Sequence, residues 1–325
     1  MTTTSTELSA PFKSPSQVLV DRLDFDQFKE NIKTLSNFGD RTQGSRSYDN
    51  AEAWVKQQLL GFGYDRVEHD SFTHRTRNYR NSYRRRNMWV TKVGTKHPDQ
   101  MYIVSAHLDG RGGGGAANDD GSGCALVLEM ARVFASPDVA TDVSIRFIFW
   151  NAEETGLNGA YAYVQNRRAM QGKPDKSGYY PEPTWLGMIT HDQILYDHGT
   201  PAQKDQDPNA DADIEYVASS RQASSSKALG QALLQGNSAY AVTYPAELSG
   251  DMCCTDSYAF IQDCPSVSIR ENRRRAEMGQ GNAAPHWHQR TDVWSTYSDA
   301  DYEFGMDIVR MSTGTVSDLS KAQIV

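Results

Sequence analysis

The stretch MYIVSAHLDG, residues 101–110, joins a run of apolar residues directly to a histidine and an aspartate. Short apolar runs of this kind are typical of strands that are buried on both faces of a sheet. A second run, SIRFIFWNAEE at 144–154, has the same design and ends in Glu153 and Glu154. Because ligands bind beyond the carboxyl ends of the strands in open α/β sheets, the two runs predict a polar site at one edge of a sheet.

Helical and strand-like segments alternate around these two runs. The spacing of apolar residues predicts helices at 24–35, 47–62, 122–134, 157–167, 223–235 and 299–320. Further strands are predicted at 87–93, 186–190, 214–218 and 266–270. Ser47 is expected to cap the second helix. The alternation indicates an α/β fold with helices on both faces of the sheet.

The chain of 325 residues is interpreted as one domain preceded by a short lead. Residues 1–20 are predicted to form a flexible N-terminal lead. Residues 21–325 are predicted to form a single domain with inserted loops at about 168–184 and 197–213. The lead lacks the basic start and apolar core of a signal peptide. We therefore expect either a cytoplasmic protein or a sequence that begins after a removed signal.

The composition of the chain limits the kinds of binding partner that we expect. The net charge of -8 argues against nucleic acid or an anionic membrane as the main partner. No run of about 18 or more apolar residues occurs, which excludes a transmembrane helix. Six arginines between Arg75 and Arg86 are a local exception. They form either a phosphate-binding patch or, as the favoured interpretation, a solvated loop or edge strand.

Further acidic residues are expected at the same edge of the sheet. Asp119 and Asp120 lie in a loop that opens a predicted helix, and Asp192 follows the strand at 186–190. Carboxylates crowded at one rim repel one another, and divalent cations are the natural compensation. Two Zn²⁺ ions carry four positive charges, and three carboxylates with two neutral histidines carry three negative charges. One bridging hydroxide would make the whole cluster neutral. Such a hydroxide, available at neutral pH, is the nucleophile that hydrolysis needs.

Five motifs occur together in one order along the chain. They are AHLDG (106–110), NDDGSG (118–123), WNAEETGLNGA (150–160), MITHDQI (188–194) and HWHQRTD (286–292). In order and spacing they resemble the M28 family of zinc-dependent exopeptidases, and the match looks like its aminopeptidase branch. The resemblance implies a three-layer α/β/α sandwich on a mixed, mostly parallel central sheet.

The resemblance also implies a set of metal ligands. His107 and Asp192 would bind one zinc ion, and Glu154 and His288 would bind the other. Asp119 would bridge the two ions. The spacing of the two neighbouring histidines does not choose between His286 and His288, but the residues that follow His288 match the family pattern.

Two further residues receive roles beside the metal ligands. Glu153 would be the general base, taking a proton from the attacking water and delivering it to the leaving amine. Asp109 lies two residues from His107 and is expected to accept the second ring proton of that histidine. The resemblance also implies an unusual peptide bond at Asp119–Asp120.

The expected activity is that of a metallo-exopeptidase, most simply an aminopeptidase. It would hydrolyse the N-terminal peptide bond with a hydroxide that bridges two zinc ions, on a peptide substrate with a free N-terminus. The family resemblance favours a secreted or periplasmic location. Alternatives are a glutaminyl cyclase-like acyltransferase with a single zinc ion, a non-catalytic binding module on the same fold, and a carboxypeptidase. The last would need a cation for the substrate carboxylate, from Arg270 or from 273–275.

The sequence departs from the family pattern near the substrate pocket. Trp287 stands where some members carry a tyrosine that stabilises the tetrahedral intermediate, a role that Tyr258 is a candidate to fill. The tripeptide at 255–257 is Thr-Asp-Ser where members often have Ser-Asp-His. Met252 and Phe260 are candidate pocket residues, with ordinary packing as the equal alternative.

A separate acidic segment raises the question of calcium. Oxygen donors alternate from Asp205 to Asp213, as at the start of an EF-hand loop. Ala210 occupies the place of the required glycine, and Tyr216 stands where the last acidic ligand belongs. A solvated polar loop is therefore the favoured interpretation, and a Ca²⁺ site is the alternative.

Overall fold

An eight-stranded mixed sheet forms the centre of the structure, a computed structural model that describes residues 13–75, 82–197, 212–271 and 284–325. In spatial order the strands are β1 (Glu68–Arg75), β2 (Ser82–Lys92), β5 (Val143–Trp150), β3 (His97–His107), β6 (Thr184–His191), β9 (Ser266–Arg270), β7 (Ala212–Glu215) and β8 (Ala246–Ser249). Parallel pairing joins β5, β3, β6 and β9 in the middle and β7 to β8 at one end, and the remaining neighbours are antiparallel.

Helices cover both faces of this sheet. Their bounds are α1 (Pro15–Asp21), α2 (Phe25–Asn37), α3 (Arg46–Gly61), α4 (Gly121–Phe134), α5 (Asn158–Arg167), α6 (Ala223–Tyr240) and α7 (Asp299–Ser320). Successive residues of β5 point to opposite faces, so Phe147 belongs to a core shared with α2, α3, α4 and α7. Ile148 belongs to a second core with α5. The predicted three-layer sandwich on a mixed, mostly parallel sheet is confirmed.

The predicted extent of the N-terminal lead and the predicted cap of α3 are wrong. Residues 15–20 belong to α1 rather than to a flexible lead, because Leu19 is fully buried and Ser16 Oγ lies 2.9 Å from Ser317 Oγ of α7. Helix α3 begins at Arg46, and its cap is Ser45 rather than Ser47. The Ser45 side chain accepts a hydrogen bond from the backbone N–H of Tyr48 at 3.1 Å.

Four of the described strands have no counterpart in the sequence prediction. They are β1, β8 and the short strands β4 (Val139–Ala140) and β10 (Gln323–Ile324), which pair with each other in a small separate sheet. The sequence of β1, EHDSFTHR, contains a single large apolar residue, Phe72, and so shows no buried run. The strand forms because it pairs along its whole length with β2. The sheet, rather than local hydrophobicity, determines its structure.

The inserted loops differ in how much of them the structure describes. Residues 171–183 contain no regular helix or strand, as predicted. Glu182 fixes this loop to the sheet because its carboxylate lies 2.6 Å from the guanidinium of Arg146, and both side chains are fully buried. The second predicted loop, at about 197–213, lies largely outside the described residues, and β7 already begins at Ala212. The hypothesis of a calcium site at 205–213 therefore stays a prediction.

Candidate metal centre and active site

The sequence-predicted ligands converge at the carboxyl ends of the central parallel strands. His107 is the last residue of β3, and Glu154 follows β5 after three residues. Asp192 follows β6 directly. Asp119 and Asp120 immediately precede α4 and are joined by a cis peptide bond. His288 comes from the loop before α7. The fold thus brings together side chains from five separate segments.

Asp119 lies between the two histidines. Its Oδ1 atom is 3.2 Å from Nε2 of His107, and its Oδ2 atom is 3.1 Å from Nε2 of His288. Each histidine has one further carboxylate neighbour. Nε2 of His107 is 3.8 Å from Oδ1 of Asp192, and Nε2 of His288 is 3.0 Å from Oε2 of Glu154. The arrangement is therefore two overlapping ligand groups that share the Asp119 carboxylate.

These residues fit two zinc ions. Zinc–nitrogen and zinc–oxygen bonds of about 2.1 Å at tetrahedral angles place two ligands of one ion about 3.4 Å apart. The four distances above lie around that value. Oδ2 of Asp119 and Oε1 of Glu154 are also buried and accept no hydrogen bond within the described residues. A buried carboxylate oxygen without a donor is costly, and a cation is the partner that these oxygens require.

The pKa shifts of the clustered side chains also favour a bound cation. Burial lowers the pKa of His107, but Glu153, Asp119 and Asp192 outweigh it and hold that pKa well above the ordinary value. Burial, with repulsion from Asp119, raises the pKa of Glu154 to about 7. Burial of the Glu153 carboxylate raises its pKa well above the ordinary value. The protein alone therefore does not stabilise this many carboxylates in their charged form.

Asp109 holds the loop after β5 rather than the ring of His107. Nδ1 of His107 lies 2.8 Å from the backbone oxygen of Asp109 and 4.0 Å from its carboxylate, so the backbone oxygen is the acceptor. The Asp109 carboxylate instead accepts hydrogen bonds from the backbone N–H groups of Glu153 at 3.1 Å and Glu154 at 3.3 Å. The predicted contact between the Asp109 side chain and the histidine ring is wrong. Its contact with the loop positions both glutamates.

Glu153 lies inside the cluster and faces a cavity. One of its carboxylate oxygens is within 4.8 Å of ligand atoms of both His107 and Asp192. The cavity has a volume of about 610 Å³. The predicted metal ligands line one part of it, and a largely apolar part is formed by Leu157, Tyr161, Tyr258 and Trp287. A side chain with an adjacent peptide bond fits such a site, with the bond over the ligands and the side chain on the apolar wall.

Trp287 forms part of this wall and packs on a ligand. Its ring is stacked on that of His288 with centroids 4.2 Å apart. His286 is half-buried, and its Nδ1 lies 3.0 Å from Oγ1 of Thr291. Of the two candidate histidines, His288 therefore reaches the carboxylates. The structure places Met252 and Phe260 in the core rather than on the cavity wall, and Phe260 packs against Trp185.

Asp120 and Asp292 are two buried carboxylates that support the site and that were assigned no role from the sequence. Asp120 accepts hydrogen bonds from the backbone N–H groups of His107 and Gly123. Asp292 accepts from the backbone of Asn118 at 2.8 Å and of Asp119 at 3.1 Å. The only available signal was their position inside the quoted motifs, and Asp292 closes the last of these.

The structure describes only one of the arginines that were considered for binding the carboxylate of a carboxypeptidase substrate. Arg270 is buried, and its Nη1 atom lies 3.1 Å from Oδ2 of Asp192, so it is engaged with a predicted metal ligand. Residues 273–275 lie outside the part of the chain that the structure describes. Cys264 is a buried free thiol. No helix among the described residues is long and apolar enough to span a membrane.

Known proteins with similar sequences and folds include peptidases. Aminopeptidase YwaD of Bacillus subtilis is 51% identical over 71 residues, which cover 22% of this chain and 15% of that protein. The match thus spans much less than two thirds of that relative. The zinc aminopeptidase BSAP of Bacillus subtilis has a similar fold, with a TM-score of 0.66 and 15% identity over 91% of this chain and 95% of that one.

Glutaminyl cyclase from Porphyromonas gingivalis is as similar in fold. Its TM-score is 0.67, with 17% identity over 93% of this chain and 99% of that one. At these identities the likeness shows the fold alone, which both kinds of enzyme share. The family is shown by sequence, since the model of peptidase family M28 matches residues 87–311. The chain, with all five predicted ligand residues inside that range, belongs to peptidase family M28.

Proposed function

We propose that this protein is a zinc-dependent aminopeptidase that uses two Zn²⁺ ions. The observation that carries the proposal is the position of Asp119, whose two carboxylate oxygens lie 3.2 and 3.1 Å from the histidines of two ligand groups. His107 and Asp192 would complete one zinc site, and His288 and Glu154 the other. Two such ions would lower the pKa of the attacking water and would polarise the carbonyl of the scissile bond.

Glu153 would move the proton in this reaction. Its carboxylate lies beside the ligand cluster and lines the cavity, within reach of both the attacking water and the leaving group. We infer that it takes a proton from the water and delivers it to the departing amine, as a general base and then a general acid. Asp109 would fix the distance between base and ligands, because it holds the backbone of Glu153 and Glu154 together.

The amine preference follows from the charge of the site. A substrate with a free N-terminus brings an ammonium group to a cavity that Glu153 supplies with negative charge. The apolar wall of Leu157, Tyr161, Tyr258 and Trp287 would receive the first side chain of the peptide. Acetylation of the amine removes the positive charge and adds bulk where the ammonium would lie. We therefore propose peptides with a free N-terminus as the substrate class.

Glutaminyl cyclase activity is the second candidate, because solved cyclases share this fold to the same degree. A cyclase would bind one zinc ion and would convert an N-terminal glutamine into its cyclised form. The deciding experiment combines metal analysis with three substrates: leucine p-nitroanilide, its N-acetyl derivative, and a peptide with N-terminal glutamine. Two equivalents of zinc, with cleavage of the first substrate only, support the aminopeptidase. One tightly bound equivalent that suffices for full activity, with cyclised glutamine as product, would establish the cyclase instead.

A further inference from the structure

A second cavity, of about 360 Å³, lies beside the loop that carries the predicted base. Asn151, two residues before Glu153, forms part of its wall, together with side chains of α3, β1 and β2. None of its lining residues lines the cavity at the metal centre. Three of them are the consecutive arginines Arg84, Arg85 and Arg86 of β2, a segment that the proposed peptidase reaction does not use.

The positive charge of this cavity is only partly neutralised. Arg86 forms a two-point ion pair with Glu52 of α3, with distances of 2.7 and 2.6 Å. Arg84 and Arg85 form no ion pair with a carboxylate in the described parts of the chain. Arg85 is held in place by neutral groups, since its Nε donates to Gln43 Oε1 at 3.3 Å and its guanidinium lies over the Tyr83 ring. Its Nη1 and Nη2 atoms also donate to the backbone oxygens of Arg84 and Gln43, at 3.0 and 3.5 Å, so only part of this guanidinium remains for a ligand. The positive charges of Arg84 and Arg85 together favour an oxyanion in the cavity.

The same cavity also carries groups that accept hydrogen bonds. Asp49, in the first turn of α3, lines the wall, and its carboxylate has no ion-pair partner among the described residues. Asp49 is exposed, so a ligand in the cavity can reach its carboxylate. A ligand that carries a hydrogen-bond donor as well as an anionic group therefore matches these residues.

We propose that this cavity binds a free α-amino acid as its zwitterion. Its carboxylate contacts Arg84 and Arg85, and its ammonium group contacts Asp49. A dianion such as phosphate fits the wall less well, because the carboxylates of Asp49 and Glu52 would repel it. The ligand class is also a product of the proposed aminopeptidase. Binding requires no turnover, however, so the proposal stands or falls independently of that reaction.

The test is calorimetric titration of the metal-loaded protein with L-leucine, N-acetyl-leucine, 3-methylbutylamine (leucine without its carboxylate) and inorganic phosphate. Leucine can also bind at the metal centre, so variants locate the second site. Arg84→Gln and Asp49→Asn change cavity residues that the proposed reaction does not use. Arg168→Gln is the matched control, because Arg168 is exposed and lies outside both cavities. Arg86 is left in place because it pairs with Glu52.

We expect two binding events for leucine, one of which weakens about tenfold or more in Arg84→Gln and in Asp49→Asn, as expected for loss of a charge-assisted contact. The Arg168→Gln control keeps both events. N-acetyl-leucine and 3-methylbutylamine, which each lack one charge of leucine and contain no bond that the proposed reaction cleaves, should bind the second site at least about tenfold more weakly than leucine. Leucine binding that is unchanged in both cavity variants would overturn the proposal. Phosphate binding that depends on Arg84, without such leucine binding, would show an oxyanion site instead.

Discussion

The carboxylate of Asp109 accepts a hydrogen bond from the backbone N–H of Glu153 at 3.1 Å. This contact ties the strand that carries His107 to the loop that carries the predicted base. The ring of His107 is oriented by a backbone oxygen rather than by this carboxylate. The contact therefore predicts that changes at Asp109 act on catalysis more than on metal binding.

Replacing Asp109 with asparagine should lower kcat by about 10- to 100-fold, the usual effect of a lost supporting contact. An amide has only one acceptor oxygen for the two N–H groups of Glu153 and Glu154. Zinc content should stay near that of the unchanged protein. The measurement is kcat together with bound zinc in the same sample. A variant that loses zinc and activity in parallel would show that Asp109 serves the ligands instead.

Glu153→Gln should reduce kcat by about 10²- to 10⁴-fold, because glutamine cannot accept the proton. The bound metal should change little, since the predicted ligand set does not include Glu153. Activity against leucine p-nitroanilide and zinc content by elemental analysis check both parts. Near-normal turnover, or the loss of a full equivalent of zinc, would contradict the assignment.

His288→Ala should lose one equivalent of zinc and nearly all activity. The imidazole lies between Asp119 and Glu154, with Nε2 at 3.1 and 3.0 Å from their carboxylates. His286→Ala is the matched control, because His286 contacts Thr291 instead. The assay is zinc content of the two purified variants. Retention of both ions in His288→Ala, with loss in His286→Ala, would reverse the choice of ligand.

Removal of zinc with a strong chelator should abolish activity and lower Tm. Without the ions, the buried carboxylates of Asp119, Glu154 and Asp192 repel one another, and the ligand-binding contribution to stability is lost. Added zinc should restore both activity and Tm. Thermal unfolding and hydrolysis of leucine p-nitroanilide are followed before and after chelation. Full activity in a sample shown to contain no metal would exclude the proposed mechanism.

Glu182→Gln should destabilise the protein by about 3–5 kcal/mol, because it leaves the guanidinium of Arg146 buried without its ion-pair partner. Both side chains are fully buried, and they connect the inserted loop to β5. Glu30→Gln is the control, since Glu30 pairs with Lys33 on the surface and should change stability by at most about 1 kcal/mol. The readout is the free energy of unfolding in urea. Equal losses in the two variants would mean that burial of this pair does not matter.

Much of the fold could be predicted from the sequence because burial leaves a direct trace in it. Strand β5 is buried and mostly apolar, and the apolar residues of α7 recur at helical spacing. The bounds of both elements were therefore predicted to within one residue. Strand β1 could not be predicted, because its stability comes from pairing with β2. Helix α1 was missed because only Leu19 and Val20 of its short sequence reveal a buried face.

The candidate site shows the same division. His107, Glu154 and Asp192 end or follow buried strands, a position that sequence alone makes visible. The choice of His288 over His286 depended on the family resemblance, because spacing treats the two alike. The contact of Asp109 was assigned wrongly, since two residues of separation do not determine whether a side chain or a backbone oxygen meets the imidazole. Such hydrogen bonds depend on the loop conformation, which the three-dimensional structure alone shows.

The wide separation of the ligands along the chain has a consequence during synthesis. His107, Asp119 and Asp192 have all been synthesised soon after the main-sheet strands β1, β2, β3, β5 and β6 are made. His288 follows almost 100 residues after Asp192. A nascent chain that has not yet reached His288 would therefore lack one ligand of the proposed second zinc site. The proposed hydrolytic activity would then depend on synthesis of the loop before α7, well after His107, Asp119 and Asp192 have been made.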